Sequence, residues 1–127
     1  MCNMLKLENI VAGYGHITAL KDVSLEVPQG SVVSLIGANG AGKTTTMKTI
    51  MGLVKPTSGR VIFEGQDITG RQTHQIVHAG ISLVPEGRQI LQDMSVYENL
   101  EMGAYIRKDK EIEEDIKKVF KRFPILD

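Results

Sequence analysis

A short stretch combining glycines with a lysine and a threonine is the part of this sequence best suited to chemistry. It reads Gly-Ala-Asn-Gly-Ala-Gly-Lys-Thr from Gly37 to Thr44 and fits the pattern G-x-x-x-x-G-K-[ST]. Glycines let a backbone wrap closely around phosphate oxygens and turn successive N–H groups toward them. The loop residues are Gly37, Ala38, Asn39, Gly40, Ala41, Gly42, Lys43 and Thr44. The pattern therefore predicts a phosphate-binding loop.

The side chains at the end of this loop suit a nucleotide with a bound metal ion. Lys43 can reach the β- and γ-phosphates, and the Thr44 hydroxyl is placed to ligate Mg²⁺. Thr45 is near enough to donate a hydrogen bond to the α-phosphate. The alternative is a glycine-rich turn with a solvated lysine, which the flanking elements disfavour.

Those flanking elements are a strand before the loop and a helix after it. Ser31 to Ile36 is a mostly apolar, β-branched run that predicts a buried central strand. Lys43 to Met51 predicts a helix closed by Gly52. A loop in this position places the helix N-terminus, with its favourable dipole, against an anion.

Other strands are predicted on both sides of the loop. Leu5 to Val11 and Asp22 to Val27 have strand patterns, and the second alternates apolar with polar residues. Arg60 to Glu64 follows a turn, and Ile81 to Val84 is predicted as another buried strand broken by a proline. Strands that then alternate with helices indicate an α/β fold with antiparallel strands at the front.

Three further helices are predicted in the second half. Thr69 with Gln72 fits a capping box that opens a helix ended by Gly80. Ser95 with Glu98 fits a second capping box, for a helix through about residue 105. The last segment places its apolar residues on one helical face, with Lys and Glu on the other. These apolar residues are Ile112, Ile116, Val119 and Phe123.

Composition narrows the class of protein. The 127 residues carry 15 basic and 15 acidic side chains, and this zero net charge argues against a nucleic-acid partner. The single cysteine, Cys2, cannot form an internal disulfide. No apolar run approaches the length of a membrane span. The composition predicts a soluble, cytoplasmic domain.

The segments around the loop resemble the ATPase domains of ABC transporters over essentially the whole chain. The matching segments are Ala12–Gly15, Ala19–Leu25, Pro28–Gly30, Gly52–Gly59, Gly65–Ile68 and Gly80–Pro85. The resemblance implies a P-loop NTPase core with an antiparallel β front, truncated before the signature motif. It also implies that residues 1–84 form the ATP-binding core, and that 85–127 contain the Q-loop equivalent and the start of a helical subdomain.

Two more site residues follow from this resemblance. It implies that Tyr14 stacks on adenine, although a tyrosine in a turn can also pack on its own sheet. Glu86 stands where most of the family has glutamine. A glutamate keeps an oxygen ligand for Mg²⁺ and loses the amide donor. The alternative for Glu86 is a solvated loop carboxylate. The run Glu86–Arg88 looks like the branch that imports branched-chain or other hydrophobic amino acids.

The resemblance also implies what this chain lacks. No Ser-Gly-Gly signature occurs in it, no apolar strand ends in Asp-Glu, and the family's catalytic histidine position lies beyond it. We therefore expect the chain to bind ATP and Mg²⁺ without hydrolysing ATP alone. Phosphoryl transfer in the family requires a positioned water and a contact from a second copy.

The function implied is that of an ATPase subunit that energises an importer, with branched-chain amino acids as the expected cargo. The expected partners are transmembrane permease subunits and a second ATP-binding subunit, identical or different. They would hold the protein on the inner face of the cell membrane. Alternatives are a non-catalytic nucleotide-binding module and an ABC ATPase for another substrate. A GTPase or small kinase is disfavoured, because the sequence has neither an Asn-Lys-x-Asp motif nor an arginine-rich lid.

Overall fold

The computed structural model describes residues 3–38, 42–87 and 89–127. The chain divides into two compact units, Met1–Leu83 and Val84–Asp127. Three residues of the predicted phosphate loop, Asn39, Gly40 and Ala41, lie outside the described residues. Cys2 and Arg88 also lie outside them.

The first unit is built on an antiparallel sheet. Within the described residues its strands are β1 (Asn3–Tyr14), β2 (Ile17–Pro28), β3 (Ser58–Phe63) and β4 (Gln66–Asp67). They lie in the order β2-β1-β3-β4, and each neighbouring pair is antiparallel. The predicted antiparallel front is therefore confirmed. β1 and β2 each have 12 residues, so they are longer than the predicted strands.

Apolar side chains from the sheet and the helices form the core of this unit. On the sheet, Leu7, Ile10 and Leu20 are at most 2% exposed. The helices α1 (Lys43–Ile50) and α2 (Thr73–Ala79) contribute Ile50 and Ile76, and the segments that follow α1 and β4 contribute further residues. The buried hydrophobic residues are Leu7, Ile10, Ala12, Leu20, Ile50, Met51, Val54, Val61, Phe63, Ile68 and Ile76. Burial of this set, at about 25 cal/mol per Å² of apolar surface, fixes α1 against the β1–β2 hairpin.

The capping box of α2 differs from the predicted one. The pair is Gln72 with Gln75, and the Gln72 N–H donates to the Gln75 side-chain oxygen at 3.1 Å. Thr69 instead lies two residues after the end of β4, and its hydroxyl accepts a hydrogen bond from the Val61 N–H of β3 at 2.8 Å. The predicted end of the helix at Gly80 is confirmed, with a left-handed φ of 114°.

Two predicted strands are wrong. Residues 31–38 and 81–85, which are all described, form neither strand nor helix. Val32 and Ile36 are 96% and 92% exposed. A strand forms only where a neighbour satisfies its N–H and C=O groups, and the strands described here pair among themselves. The apolar pattern of Ser31 to Ile36 is typical of a buried strand, whereas the described residues leave this segment exposed.

The second unit is helical. It contains α3 (Val96–Gly103), α4 (Ile112–Arg122) and a 3₁₀ turn at Pro124–Leu126. The predicted capping box of α3 is confirmed: the Ser95 N–H donates to the Glu98 carboxylate at 2.8 Å, and the Glu98 N–H donates to the Ser95 hydroxyl at 3.1 Å. None of the helices described has the length and apolar character needed to cross a membrane.

The apolar face predicted for α4 is only partly correct. Ile116 is buried, with 5% of its surface exposed. Phe123 lies outside the helix and is 52% exposed. The residue before a proline is disfavoured in the α region, so the helix ends at Arg122, before Phe123 and Pro124.

Candidate nucleotide-binding site

The phosphate loop joins α1 through a glycine that no other residue could replace without strain. Gly42 has φ 96° and ψ 6°, in the left-handed region. A Cβ atom there would lie 2.8 Å from Cδ2 of Leu20 and 3.3 Å from the carbonyl oxygen of Ala19. The end of the loop is therefore packed directly on β2, which fixes where α1 begins.

The start of α1 offers backbone donors to an anion. The first intrahelical hydrogen bond runs from the Thr46 N–H to the Gly42 carbonyl at 2.8 Å, and the Thr46 hydroxyl donates to the same oxygen at 2.8 Å. The N–H groups of Lys43, Thr44 and Thr45 precede that bond, so the helix provides no carbonyl for them. Such a terminus has a partial positive charge and suits a phosphate group.

The Lys43 side chain reaches across the loop. Its ammonium group donates a hydrogen bond to the carbonyl oxygen of Gly37, at the far side of the loop. Gly37 and Ala38 are exposed. Thr44 is exposed as well, so its hydroxyl is accessible to a metal ion. Thr45 is only 7% exposed, so its predicted contact with an α-phosphate would be made from a largely covered position.

Tyr14 lies at the tip of the β1–β2 hairpin and next to α1. It pairs with Ile17 across a two-residue turn, and it is 47% exposed. The preceding Gly13 allows the strands to approach closely, because a Cβ there would lie 2.0 Å from the Ile17 carbonyl oxygen. The ammonium group of Lys48 lies 5.9 Å from the centroid of the Tyr14 ring. Sequence reasoning did not select Lys48, since nothing in the linear pattern links it to Tyr14.

Glu86 lies in the second unit, whereas the loop and Tyr14 lie in the first. It is exposed, in a turn where Gly87 has a φ of 81°. Within the described ranges, no group of three or more His, Cys, Asp or Glu side chains could hold a metal ion.

The charged cluster of the first unit lies on the sheet. The Arg60 guanidinium is 2.7 Å from a Glu8 carboxylate oxygen, and the Lys6 ammonium is 3.2 Å from the other. Hydrogen bonds from Lys6 first, and then from Arg60, lower the pKa of Glu8. This cluster joins β1 to β3 and has a structural role.

The family model for ABC transporters matches residues 20–127. This chain belongs to the ABC transporter family, and it is an ATP-binding domain of that family. The high-affinity branched-chain amino acid transport ATP-binding protein BraG of Pseudomonas aeruginosa is 40% identical over 123 residues, covering 97% of this chain. The lipopolysaccharide export system ATP-binding protein LptB of Haemophilus influenzae is 38% identical over 107 residues, covering 84% of it.

Solved structures of the family have the same fold. An ATP-binding cassette of an ABC transporter superposes with a TM-score of 0.85 at 34% identity, covering 99% of this chain and 56% of that one. Another cassette, described as a dimeric post-hydrolysis state bound to ADP and phosphate, gives a TM-score of 0.77 at 26% identity. It covers 93% of this chain and 56% of that one. The predicted P-loop ABC ATPase fold is confirmed.

The chain spans about half the length of the curated relatives it matches: 53% of BraG and 44% of LptB.

Proposed function

We propose that this chain binds Mg-ATP as part of the ATP-binding subunit of an ABC transporter. The observation that carries the proposal is the Lys43 ammonium group, which lies across the loop at the N-terminus of α1 and bonds to Gly37. A lysine in this position can exchange a carbonyl partner for a phosphate oxygen. A phosphate oxygen carries a full negative charge that attracts the ammonium group, whereas the carbonyl is neutral, so the exchange favours phosphate.

The proposed phosphate contacts are the loop Gly37–Gly42 together with Lys43, Thr44 and Thr45. The exposed Thr44 hydroxyl supports a role as a ligand of Mg²⁺, which prefers oxygen donors and is commonly held by such a residue together with phosphates. When bound, the ion neutralises part of the phosphate charge. We propose Glu86 as a further oxygen ligand, because its carboxylate is exposed in its turn.

The base is proposed to stack on Tyr14. Lys48, which lies beside the ring, is five residues after Lys43 on α1, so it stands about 7.5 Å further along the helix axis. The ribose and α-phosphate of a nucleotide could span that separation. The tyrosine is 47% exposed, so part of its surface is accessible to a base. Stacking on an aromatic ring is worth about 1–3 kcal/mol in single-strand binders.

The transported substrate is proposed to be branched-chain amino acids. The support is the 40% identity to BraG over 97% of this chain. LptB, at 38% identity over 84% of the chain, belongs to a lipopolysaccharide export system, so an ATPase for another substrate is the second candidate. Because the chain is expected not to hydrolyse ATP alone, a binding test is used: co-purification of the chain with the permease subunits of the BraG system or with those of the LptB system distinguishes the two candidates.

The proposed partners are permease subunits and a second ATP-binding subunit. The dimeric relative bound to ADP and phosphate supports the second of these. For the permease we propose the second unit, where α4 borders an open groove of about 810 Å³. Its lining contains aromatic and apolar side chains of the kind that form the core of a protein contact, and charged side chains of the kind found at its rim. The lining residues are Tyr97, Glu113, Ile116, Lys117, Phe120, Lys121, Pro124 and Asp127.

Titration calorimetry with Mg-ATP tests the nucleotide proposal. Lys43→Ala removes the proposed phosphate contact and should weaken ATP binding by about 1.5–3 kcal/mol. Lys55→Ala is the matched control, because Lys55 is an exposed lysine in the loop that follows α1. The Lys55→Ala variant should bind Mg-ATP as tightly as the unmodified chain does. If a folded Lys43→Ala variant bound Mg-ATP as tightly as the control, the assignment of this loop would be wrong.

A further inference from the structure

The ammonium group of Lys48 and the ring of Tyr14 form a contact between two separate elements of the first unit. Their separation, 5.9 Å from Nζ to the ring centroid, is within the range of about 6 Å for a cation–π interaction. Lys48 is in the last turn of α1, and Tyr14 is the last residue of β1. The contact therefore joins the helix that starts at the phosphate loop to the hairpin tip.

The hairpin tip itself leaves the Tyr14 side chain open. The residues of the turn, Gly15 and His16, are exposed, and Tyr14 keeps nearly half of its surface accessible. The backbone there is held closely, since Gly13 lies against the Ile17 carbonyl. An exposed aromatic side chain on a fixed backbone still samples several rotamers. A cation above one face favours the rotamer in which the ring meets α1.

We propose that Lys48 is a positioning residue for the nucleotide base. It occupies one face of the Tyr14 ring and thereby holds the ring with its other face available to adenine. This inference rests on the proposed function, in which Tyr14 stacks on the base. Holding the ring in advance reduces the ordering cost that binding would otherwise include.

The proposal predicts that Lys48 affects the binding of the base and not the binding of the phosphates. Because Lys48 acts through the ring, its removal should affect a ligand that has a base and leave a bare triphosphate unaffected. A lysine that contacted the phosphates directly would affect both ligands. A lysine that only stabilised the fold would lower the melting temperature without changing the ratio of the two affinities.

Calorimetry with Mg-ATP and with Mg-tripolyphosphate tests the proposal on the 127-residue chain. Lys48→Met removes the charge and keeps a long, helix-compatible side chain, and Lys48→Gln is a second neutral variant in case the first does not fold. We expect either variant to bind ATP about two- to fivefold more weakly, the range given by an exposed cation–π contact. The affinity for tripolyphosphate should not change. Lys48→Arg should restore ATP binding, and Lys55→Met is the matched control.

A double variant completes the test. In a Tyr14→Ala background, Lys48→Met should cause no further loss of ATP affinity, because the ring through which it acts is absent. Equal loss of both ligands, unchanged ATP affinity, or a full additional loss in the Tyr14→Ala background would overturn the role of Lys48. The proposed function fails separately: either the unmodified chain does not bind ATP, or Tyr14→Ala binds it unchanged. Either result would overturn this inference too.

Discussion

Two glycines with left-handed backbones show how differently single residues constrain this fold. Gly59 has a φ of 88°, and a Cβ there would lie 2.4 Å from the Asn9 carbonyl oxygen and 2.5 Å from that of Glu8. Gly30 has a φ of 75°, but no atom lies within 4 Å of its Cβ position. Gly59 therefore permits both a left-handed backbone and the close approach of β1 to β3. Gly30 permits only a left-handed backbone.

We predict that Gly59→Ala destabilises the protein by at least about 2 kcal/mol, because the left-handed penalty of about 1–2 kcal/mol adds to a clash with backbone atoms that cannot move aside. Gly30→Ala is the control and should cost only the conformational part. Urea unfolding followed by circular dichroism measures both. Equal losses for the two variants would show that β1 and β3 adapt to the added methyl group.

The residues of the candidate site differ in how far the sequence could predict them. Gly42 and Lys43 belong to a linear motif whose spacing follows from the geometry of phosphate binding, so the sequence alone was sufficient to select them. Tyr14 needed the family resemblance, since an isolated tyrosine in a turn has no distinctive pattern. Lys48 could not be selected, because its relation to Tyr14 arises only when α1 packs against the hairpin.

At the scale of helices and strands, the sequence predicted a feature correctly where residues close together in the chain determine it. The capping box at Ser95 was predicted correctly because its partners are three residues apart. The strand predicted at Ser31 to Ile36 was wrong because strand pairing depends on distant segments. The predicted capping role of Thr69 was also wrong, because its hydroxyl accepts a hydrogen bond from the N–H of Val61, eight residues earlier on β3.

The connection between α3 and α4 is held by a charged cluster around Arg107. Its guanidinium donates to Asp109 at 2.8 and 3.0 Å and to Asp115 at 2.7 Å. The hydrogen bonds from Arg107 are the main reason that the pKa values of Asp109 and Asp115 are lowered. A hydrogen bond from Lys118 lowers the pKa of Asp115 further. The same contacts raise the pKa of Arg107. The cluster thus stabilises the start of α4 while both carboxylates are ionised.

We predict that Arg107→Gln raises the pKa of both Asp109 and Asp115 toward the usual value of about 3.9. A folded-state pKa below the unfolded value means that the stabilisation is present above the unfolded pKa and is lost as pH falls through the folded pKa. The stability difference between the two proteins should therefore exist at neutral pH and disappear in acid. Carboxyl NMR titration measures the pKa values directly. Lys118→Gln, as control, should affect Asp115 alone, and unchanged pKa values in Arg107→Gln would contradict the role of the cluster.

At the scale of the whole molecule, the described residues include large apolar side chains that are exposed. Val32 and Ile36 of the first unit are more than 90% exposed, although their sequence is typical of a buried strand. Large exposed apolar side chains in a row indicate a surface that meets other polypeptide. A solved relative has a chain nearly twice as long, as the 56% coverage of that chain shows. Binding groups and catalytic groups need not be present together in such a chain.

The last prediction concerns that separation between binding and catalysis. The sequence contains the phosphate loop but no Ser-Gly-Gly and no apolar strand ending in Asp-Glu. Phosphoryl transfer depends on a positioned nucleophile and on charge stabilisation around the transferred group, and by the family resemblance those motifs supply them. We therefore expect the 127-residue chain to bind Mg-ATP and to release no phosphate above background at any protein concentration.

Phosphate release measured over a hundredfold range of protein concentration tests this expectation, with Lys43→Ala as the blank. Raising the concentration would favour any pairing of copies, but no copy contains the two missing motifs. Full-length BraG is the positive control, and its rate per molecule should rise with concentration if its sites form between copies, because mass action then sets the fraction of assembled sites. Steady Mg-dependent phosphate release from the 127-residue chain, abolished by Lys43→Ala, would show that the residues described here are sufficient for catalysis. Binding without turnover would leave the chain as a nucleotide-binding module whose catalytic groups must come from other polypeptide.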